Sequence, residues 1–185
     1  TLGIPDVGLI ILFVGRLNRD KGILDLAEAF SQLARQRDDV WLVVVGGYEE
    51  DIGDDFDRYC GGALTRVRRV GHTDSPEHYM AAADVFALPS YRESFGLTVI
   101  EAAACGVPSV ASRIYGLTDS VVEGKTGLMI APGDVPAIRD CLMRLCTDSI
   151  LRLRLGNAAK TRANLEFSMH KVTTEFVAYY ERVLK

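Results

Sequence analysis

Apolar residues recur along the chain in two rhythms. Short runs rich in Val, Ile, Leu and Phe at Leu9 to Val14, Val40 to Val45, Val67 to Val70, Asp84 to Leu88, Ser109 to Ala111 and Leu128 to Ile130 read as strands. Between the first two, Ile23, Leu26, Ala27, Phe30, Leu33 and Ala34 repeat at helical spacing, a stripe that buries and leaves Asp25, Glu28 and Arg35 to water. Strands alternating with crossover helices predict an α/β fold, a doubly wound, parallel, six-stranded sheet of Rossmann-like type.

Turn chemistry supports these bounds. Ser75 before Pro76 predicts an N-cap and a first helical turn, Asp134 predicts the cap of a helix running to Leu145, and Gly106 with Pro108 closes another. After Cys146 the strands stop and two extra C-terminal helices follow. The last carries Met169, Val172, Phe176, Tyr179, Tyr180 and Val183 on one side. Its own sheet is the favoured cover for that stripe, a partner domain the alternative. No repeat, linker or low-complexity stretch divides residues 1–185, which are expected to form a single domain.

A net charge of -4 gives no general reason to expect nucleic-acid binding. Arg66, Arg68 and Arg69 are the one basic run, and their alternation with Val67 and Val70 reads as a solvated strand face. Cys60, Cys105, Cys141 and Cys146 have no zinc spacing and read as reduced, mostly buried thiols. Leu9 to Val14 is too short for a membrane span or a secretory core, so a cytoplasmic protein is expected. Asp55-Phe56-Asp57 spells an Asp-x-Asp metal motif, but in an acidic segment expected to lie far from the site developed next. His72, His78 and His170 share no ligand spacing, and no metal or other cofactor is expected.

In a doubly wound sheet, ligands bind beyond the carboxyl ends of the strands where strand order reverses. Two unusual segments fall there, Gly15-Arg16-Leu17-Asn18-Arg19-Asp20-Lys21-Gly22 after the first strand and Pro89-Ser90-Tyr91-Arg92-Glu93-Ser94-Phe95-Gly96 after the fourth. The second opens a helix whose unpaired amides favour an anion by about 0.3 to 2 kcal/mol, and Gly96 admits that anion closely. Arg16 offers a fork matched to phosphate oxygens and Lys21 a mobile point charge, suiting a diphosphate leaving group without metal. Glu101 within the helix can accept from vicinal hydroxyls such as a ribose's, and Glu93 in the loop can meet a sugar. A surface basic pair and a solvated helix start are the bland readings of these residues. Two rivals stay open: a hydrolase using Glu93 and Glu101 as its carboxylate pair, and a non-catalytic assembly module docking through the terminal helix.

Gly15-Arg16-(x)4-Lys21-Gly22, Pro89-Ser90-(x)2-Glu93-(x)7-Glu101-Ala102, Gly106-Val107-Pro108, Gly124-(x)2-Gly127-Leu128 and Pro132-Gly133-Asp134, in this order, resemble the donor domain of the family 4 (group 1) glycosyltransferases. The resemblance implies half of a GT-B fold, two Rossmann-like domains across a cleft. This half would hold a nucleoside-diphosphate sugar, by family weight a UDP-hexose or UDP-N-acetylhexosamine. An absent N-terminal half would hold a saccharide or lipid-linked acceptor, supply any catalytic histidine and make any membrane contact at the inner face. Transfer would retain anomeric configuration. It maps Gly15, Arg16 and Lys21 to the diphosphate, the amides of Phe95, Gly96, Leu97 and Thr98 to phosphate and sugar, Glu93 to sugar hydroxyls and Glu101 to ribose. Arg16, Lys21 and Glu93 would be catalytic. The base is placed beside Val70, where His72 stands near, and the turn from Ser112 to Thr118 is expected to line the sugar or phosphate pocket. The chain departs from the family pattern at Gly46-Gly47-Tyr48 and at Leu117. Thr1 stands so close to the first strand that a truncated piece, inactive alone, is expected.

Overall fold

A computed structural model describes residues 2–184. Strands β1 (Leu9–Val14), β2 (Val40–Val45), β3 (Val67–Gly71), β4 (Val85–Leu88), β5 (Ser109–Ser112) and β6 (Gly127–Ile130) form one parallel sheet ordered β3-β2-β1-β4-β5-β6. β1 pairs with β2 in unbroken register from Leu9 opposite Val40 to Val14 opposite Val45. Both strands are apolar on both faces, so both faces must be covered. The doubly wound Rossmann-like fold expected from the sequence is the one found. Asp84 lies outside β4 because its amide donates to the Ile10 carbonyl at 2.9 Å while its carboxylate takes the Ile10 amide at 2.8 Å.

Helices α1 (Ile23–Ala34), α2 (Gly53–Cys60), α3 (Glu77–Ala81), α4 (Leu97–Ala104), α5 (Leu117–Ser120), α6 (Val135–Thr147), α7 (Ser149–Glu166) and α8 (Met169–Val183) complete the chain. α1 packs with α2 and α6, and α4 with α3 and α7. Asp134 caps α6 by accepting the Ala137 amide at 2.9 Å, and the helix runs to Thr147. In α7, Gly156 lies against the carbonyl of Gly106, an approach that leaves no room for a Cβ.

Four local expectations are corrected. Ser75 does not cap α3, since the Thr73 hydroxyl takes its amide in a local turn and the helix starts at Glu77. The arginines at and just before β3 are a solvated face only in part, since Arg69 is exposed but Arg66 and Arg68 are half-buried and all three are engaged by the protein. Arg68 lies 4.5 Å over the Trp41 ring, Arg66 donates to the carbonyls of Ala34 and Arg37, and Arg69 pairs with Asp57 above Phe56. Asp25 is half-buried and accepts from the Tyr91 hydroxyl at 2.7 Å. Finally, α8 does not cover the sheet. Among the described residues none of α8 is buried, with Met169 81% and Phe176 59% exposed, because α6 and α7 already occupy the two helical layers.

All four cysteines are free thiols, and burial pushes Cys60 up to about 12 and Cys141 and Cys146 up to about 11. Thiolates carry the reactivity, so native protein at pH 7.5 should leave Cys60 and Cys146 unalkylated by iodoacetamide, and unfolding should release all four. Mass spectrometry showing native labelling of Cys60 would contradict this packing.

Candidate functional site

β1 and β4 are neighbours whose connections leave in opposite directions, so their carboxyl ends open onto a crevice. After β1 the Asn18 side chain accepts the Lys21 amide at 3.0 Å, starting a single 3-10 turn, Arg19–Lys21. Gly22 follows at φ 67, and a Cβ there would strike the Pro89 carbonyl. The Asp20 carbonyl takes the Tyr91 amide at 2.8 Å, which binds the second loop to the first. The two segments therefore meet as expected.

Their meeting makes a cleft of 230 Å³. Gly15, Arg16 and Lys21 line one wall, and Glu93, Gly96, Leu97 and Thr98 the other. The Lys21 ammonium pairs with the Glu93 carboxylate, the two side chains only 16% and 14% exposed. Gly96, in the left-handed region at φ 72, precedes α4, and no side chain caps the helix, leaving its first-turn amides at the cleft. Gly116 packs on the carbonyls of Glu93 and Ser94, and the fully buried Leu117 sits beneath Gly96. The turn from Ser112 to Thr118 thus props the loop from Glu93 to Gly96 from behind and does not line the cleft.

Arg16 pairs with Glu49, a residue the sequence reading missed. Asn18 donates to the same carboxylate at 2.6 Å, and the Glu49 amide donates to the Leu17 carbonyl at 3.1 Å. The Asn18 hydrogen bond and then Arg16 hold the Glu49 carboxyl below the ordinary range, against desolvation. The available signal was position, because Glu49 follows β2 at the same sheet edge that presents Arg16.

Across Arg16 lies a second cavity of 250 Å³. Gly46, Gly47, His72, Thr73 and Pro76 contribute to it. Val70 is half-buried against the core and lines neither cavity, so the end of β3 reaches this space through His72 and Thr73. The Phe95 ring turns away to meet Phe167 edge-on at 5.6 Å. Glu101 is exposed on α4 outside the cleft lining. Asp55, expected far from these loops, is bound to one of them, pairing with Arg19 at 2.7 Å and Arg58 at 2.5 Å. With Asp57 on Arg69, both carboxylates of the Asp-x-Asp motif are engaged by guanidinium groups.

The family model for glycosyl transferases group 1 matches residues 1–162. The chain is similar to a capsular polysaccharide biosynthesis glycosyltransferase, CapM, of Staphylococcus aureus, 32% identical over 95% of this chain and 47% of that protein. It is 39% identical to a D-inositol 3-phosphate glycosyltransferase of Corynebacterium jeikeium over 88% of this chain and 41% of that one. Among solved structures, a sucrose-phosphate synthase of Thermosynechococcus elongatus matches 99% of this chain and 47% of that chain at 32% identity, TM-score 0.87. The chain spans about half the length of these relatives.

Two outcomes test the geometry. Gly22→Ala should destabilise the fold by about 1–3 kcal/mol, since φ 67 and the Pro89 carbonyl both oppose a Cβ. A chemical-denaturation midpoint equal to wild type would refute the joint. Glu49 and Asp55 have lowered pKa values, Asp55 chiefly through the Arg19 hydrogen bond. The unfolded chain therefore takes up their protons first as pH falls. Their stabilisation is complete above about pH 5 and is lost as pH drops below about 4. Thermal midpoints should fall over that window, and Glu49→Gln should flatten part of the slope.

Proposed function

The chain belongs to the group 1 glycosyl transferases, and on that premise we propose that it is the donor-binding half of a two-domain retaining enzyme. It holds a nucleoside-diphosphate sugar, best a UDP-hexose or UDP-N-acetylhexosamine, and the other half holds a saccharide or lipid-linked acceptor. The observation that carries this reading is the half-buried Lys21–Glu93 pair beside an uncapped helix N-terminus at the β1/β4 crevice.

Lys21 and Glu93 neutralise one another in the cleft. A diphosphate entering over the amides at Gly96 to Thr98 competes for Lys21, and Arg16 extends to it from Glu49. Glu93, released, accepts from hydroxyls of the sugar. As an acceptor hydroxyl bonds to the anomeric carbon on the face that the leaving group vacates, the bond from that carbon to the phosphate oxygen breaks, the hydroxyl's proton passes to the departing diphosphate, and Arg16, Lys21 and the helix amides stabilise the charge collecting there. These cations serve the leaving group with no metal in the scheme. The base occupies the cavity at Gly46, Gly47, His72 and Thr73. Glu101 holds the ribose, with the side chain moving toward the cleft.

The exposed face of α8 packs on the other half of the enzyme. The relatives' length supports this, since about half of each lies beyond the matched region. Among the described residues no helix is long and apolar enough to cross a membrane. A cytoplasmic enzyme is the reading favoured here, any contact with the inner membrane face falling to the other half.

Calorimetric titration with UDP, GDP and ADP, with and without magnesium, tests the proposal. One diphosphate should bind selectively and without metal, and Lys21→Ala should weaken it by about 1.5–3 kcal/mol. Glu101→Gln should weaken the nucleoside diphosphate more than a free sugar phosphate. A folded protein that binds no diphosphate, alone or joined to its other half, would overturn the assignment.

A further inference from the structure

The junction of the two loops has a second side. Lys21 and Glu93 turn into the donor cleft, whereas their neighbours Asp20, Gly22 and Tyr91 line a separate cavity of 360 Å³. Arg19, Asp25 and Tyr59 complete its polar and aromatic wall. None of these residues lines the donor cleft. The volume is at the small end of ligand cavities.

Two partly exposed tyrosine rings border this cavity, Tyr59 at 38% and Tyr91 at 45%. Tyr91 is fixed despite that exposure. Its hydroxyl donates to Asp25 at 2.7 Å, its amide to the Asp20 carbonyl at 2.8 Å, and its ring lies against Gly133, where a Cβ would come within 2.8 Å of the hydroxyl oxygen. The Asp25 contact pushes the Tyr91 phenol up to about 12. The charges disfavour an anion. Asp20 and Asp25 contribute carboxylates, while the one cation, Arg19, is shared between Asp55 at 2.7 Å and Glu50 at 3.8 Å. Flat apolar ring faces beside carboxylate acceptors suit a ligand with apolar C–H faces and many hydroxyl donors.

We propose that this cavity is a second saccharide subsite, for an uncharged sugar unit, back to back with the donor cleft across the Asp20–Tyr91 joint. The proposal does not depend on nucleotide binding. A sugar seated here touches the loops that carry Lys21 and Glu93, so a glycan reaching both sides would be held beside the reacting centre.

Amide-shift NMR titration of the chain with methyl α-glucoside, methyl N-acetylglucosaminide and maltotriose tests it, with inorganic pyrophosphate as the anionic probe. At least one sugar should shift Gly22, Asp25, Tyr59 and Tyr91 saturably. Tyr59→Ala should weaken that sugar roughly 2- to 10-fold, the range for one lost aromatic contact, with UDP affinity unchanged. Tyr59→Leu, which keeps an apolar side chain but removes the flat ring face, serves if the alanine variant misfolds and should also weaken the sugar. Absence of saturable shifts at these amides, pyrophosphate outcompeting the sugars there, or sugar affinity indifferent to both substitutions would overturn the subsite.

Discussion

Two loops leave adjacent parallel strands for opposite sides of the sheet, and the close fit of Gly22 against the Pro89 carbonyl joins them. The joint matters because each loop carries a charge that it could not hold alone. Lys21 and Glu93 are both less than one-fifth exposed, and an isolated ion at such depth loses several kcal/mol of hydration. Together they neutralise one another, and the crevice stays charged without an unpaired ion. Backbone bonds from Tyr91 and Arg92 to the Asp20 carbonyl fix the spacing, so the ion pair rests on main-chain geometry.

The surroundings extend that arrangement in two directions. Behind the second loop, Gly116 and Leu117 fill the space under Glu93, Ser94 and Gly96, which keeps the start of α4 aimed at the crevice. In front, Glu49, itself fixed by a hydrogen bond from Asn18, holds Arg16 on the ridge between two cavities. An arginine 67% exposed contributes little to stability through such a pair, but it stays parked within reach of either cavity. On the proposed reading, phosphate on one side and base on the other would both meet a side chain already in place.

Periodicity was a sufficient guide to the fold because β1, β2 and α1 bury their apolar positions as wholes, and sequential connections in a parallel sheet allow few orders. The site was legible where a strand end and a helix start placed it, as for Arg16, Lys21, Glu93 and Gly96. It failed where a side chain's direction decided the outcome. Nothing in the spacing of Phe95 reveals that its ring turns to Phe167, or that Val70 packs inward and His72 outward. Contacts between loops distant in sequence were equally hidden. Arg16 to Glu49 and Arg19 to Asp55 join residues more than thirty positions apart that only the β2–β1 neighbour relation brings together.

α8 departs from the economy of the rest. Every other long helix buries a stripe, yet α8 leaves Val177, Tyr179, Tyr180 and Val183 each more than half exposed. The sheet cannot take it, since α1, α2 and α6 form one layer and α3, α4 and α7 the other. α7 itself spends its small residues Gly156, Ala159 and Ala163 on the approach to α4 and the Gly106 turn. A face this apolar is stable in water chiefly when something covers it. On the proposed two-domain reading, the cover is the half that also closes the crevice. The same association would then bury the stripe of α8 and remove water from the Lys21–Glu93 pair, so that stability and a dry, strongly interacting site would come from one contact.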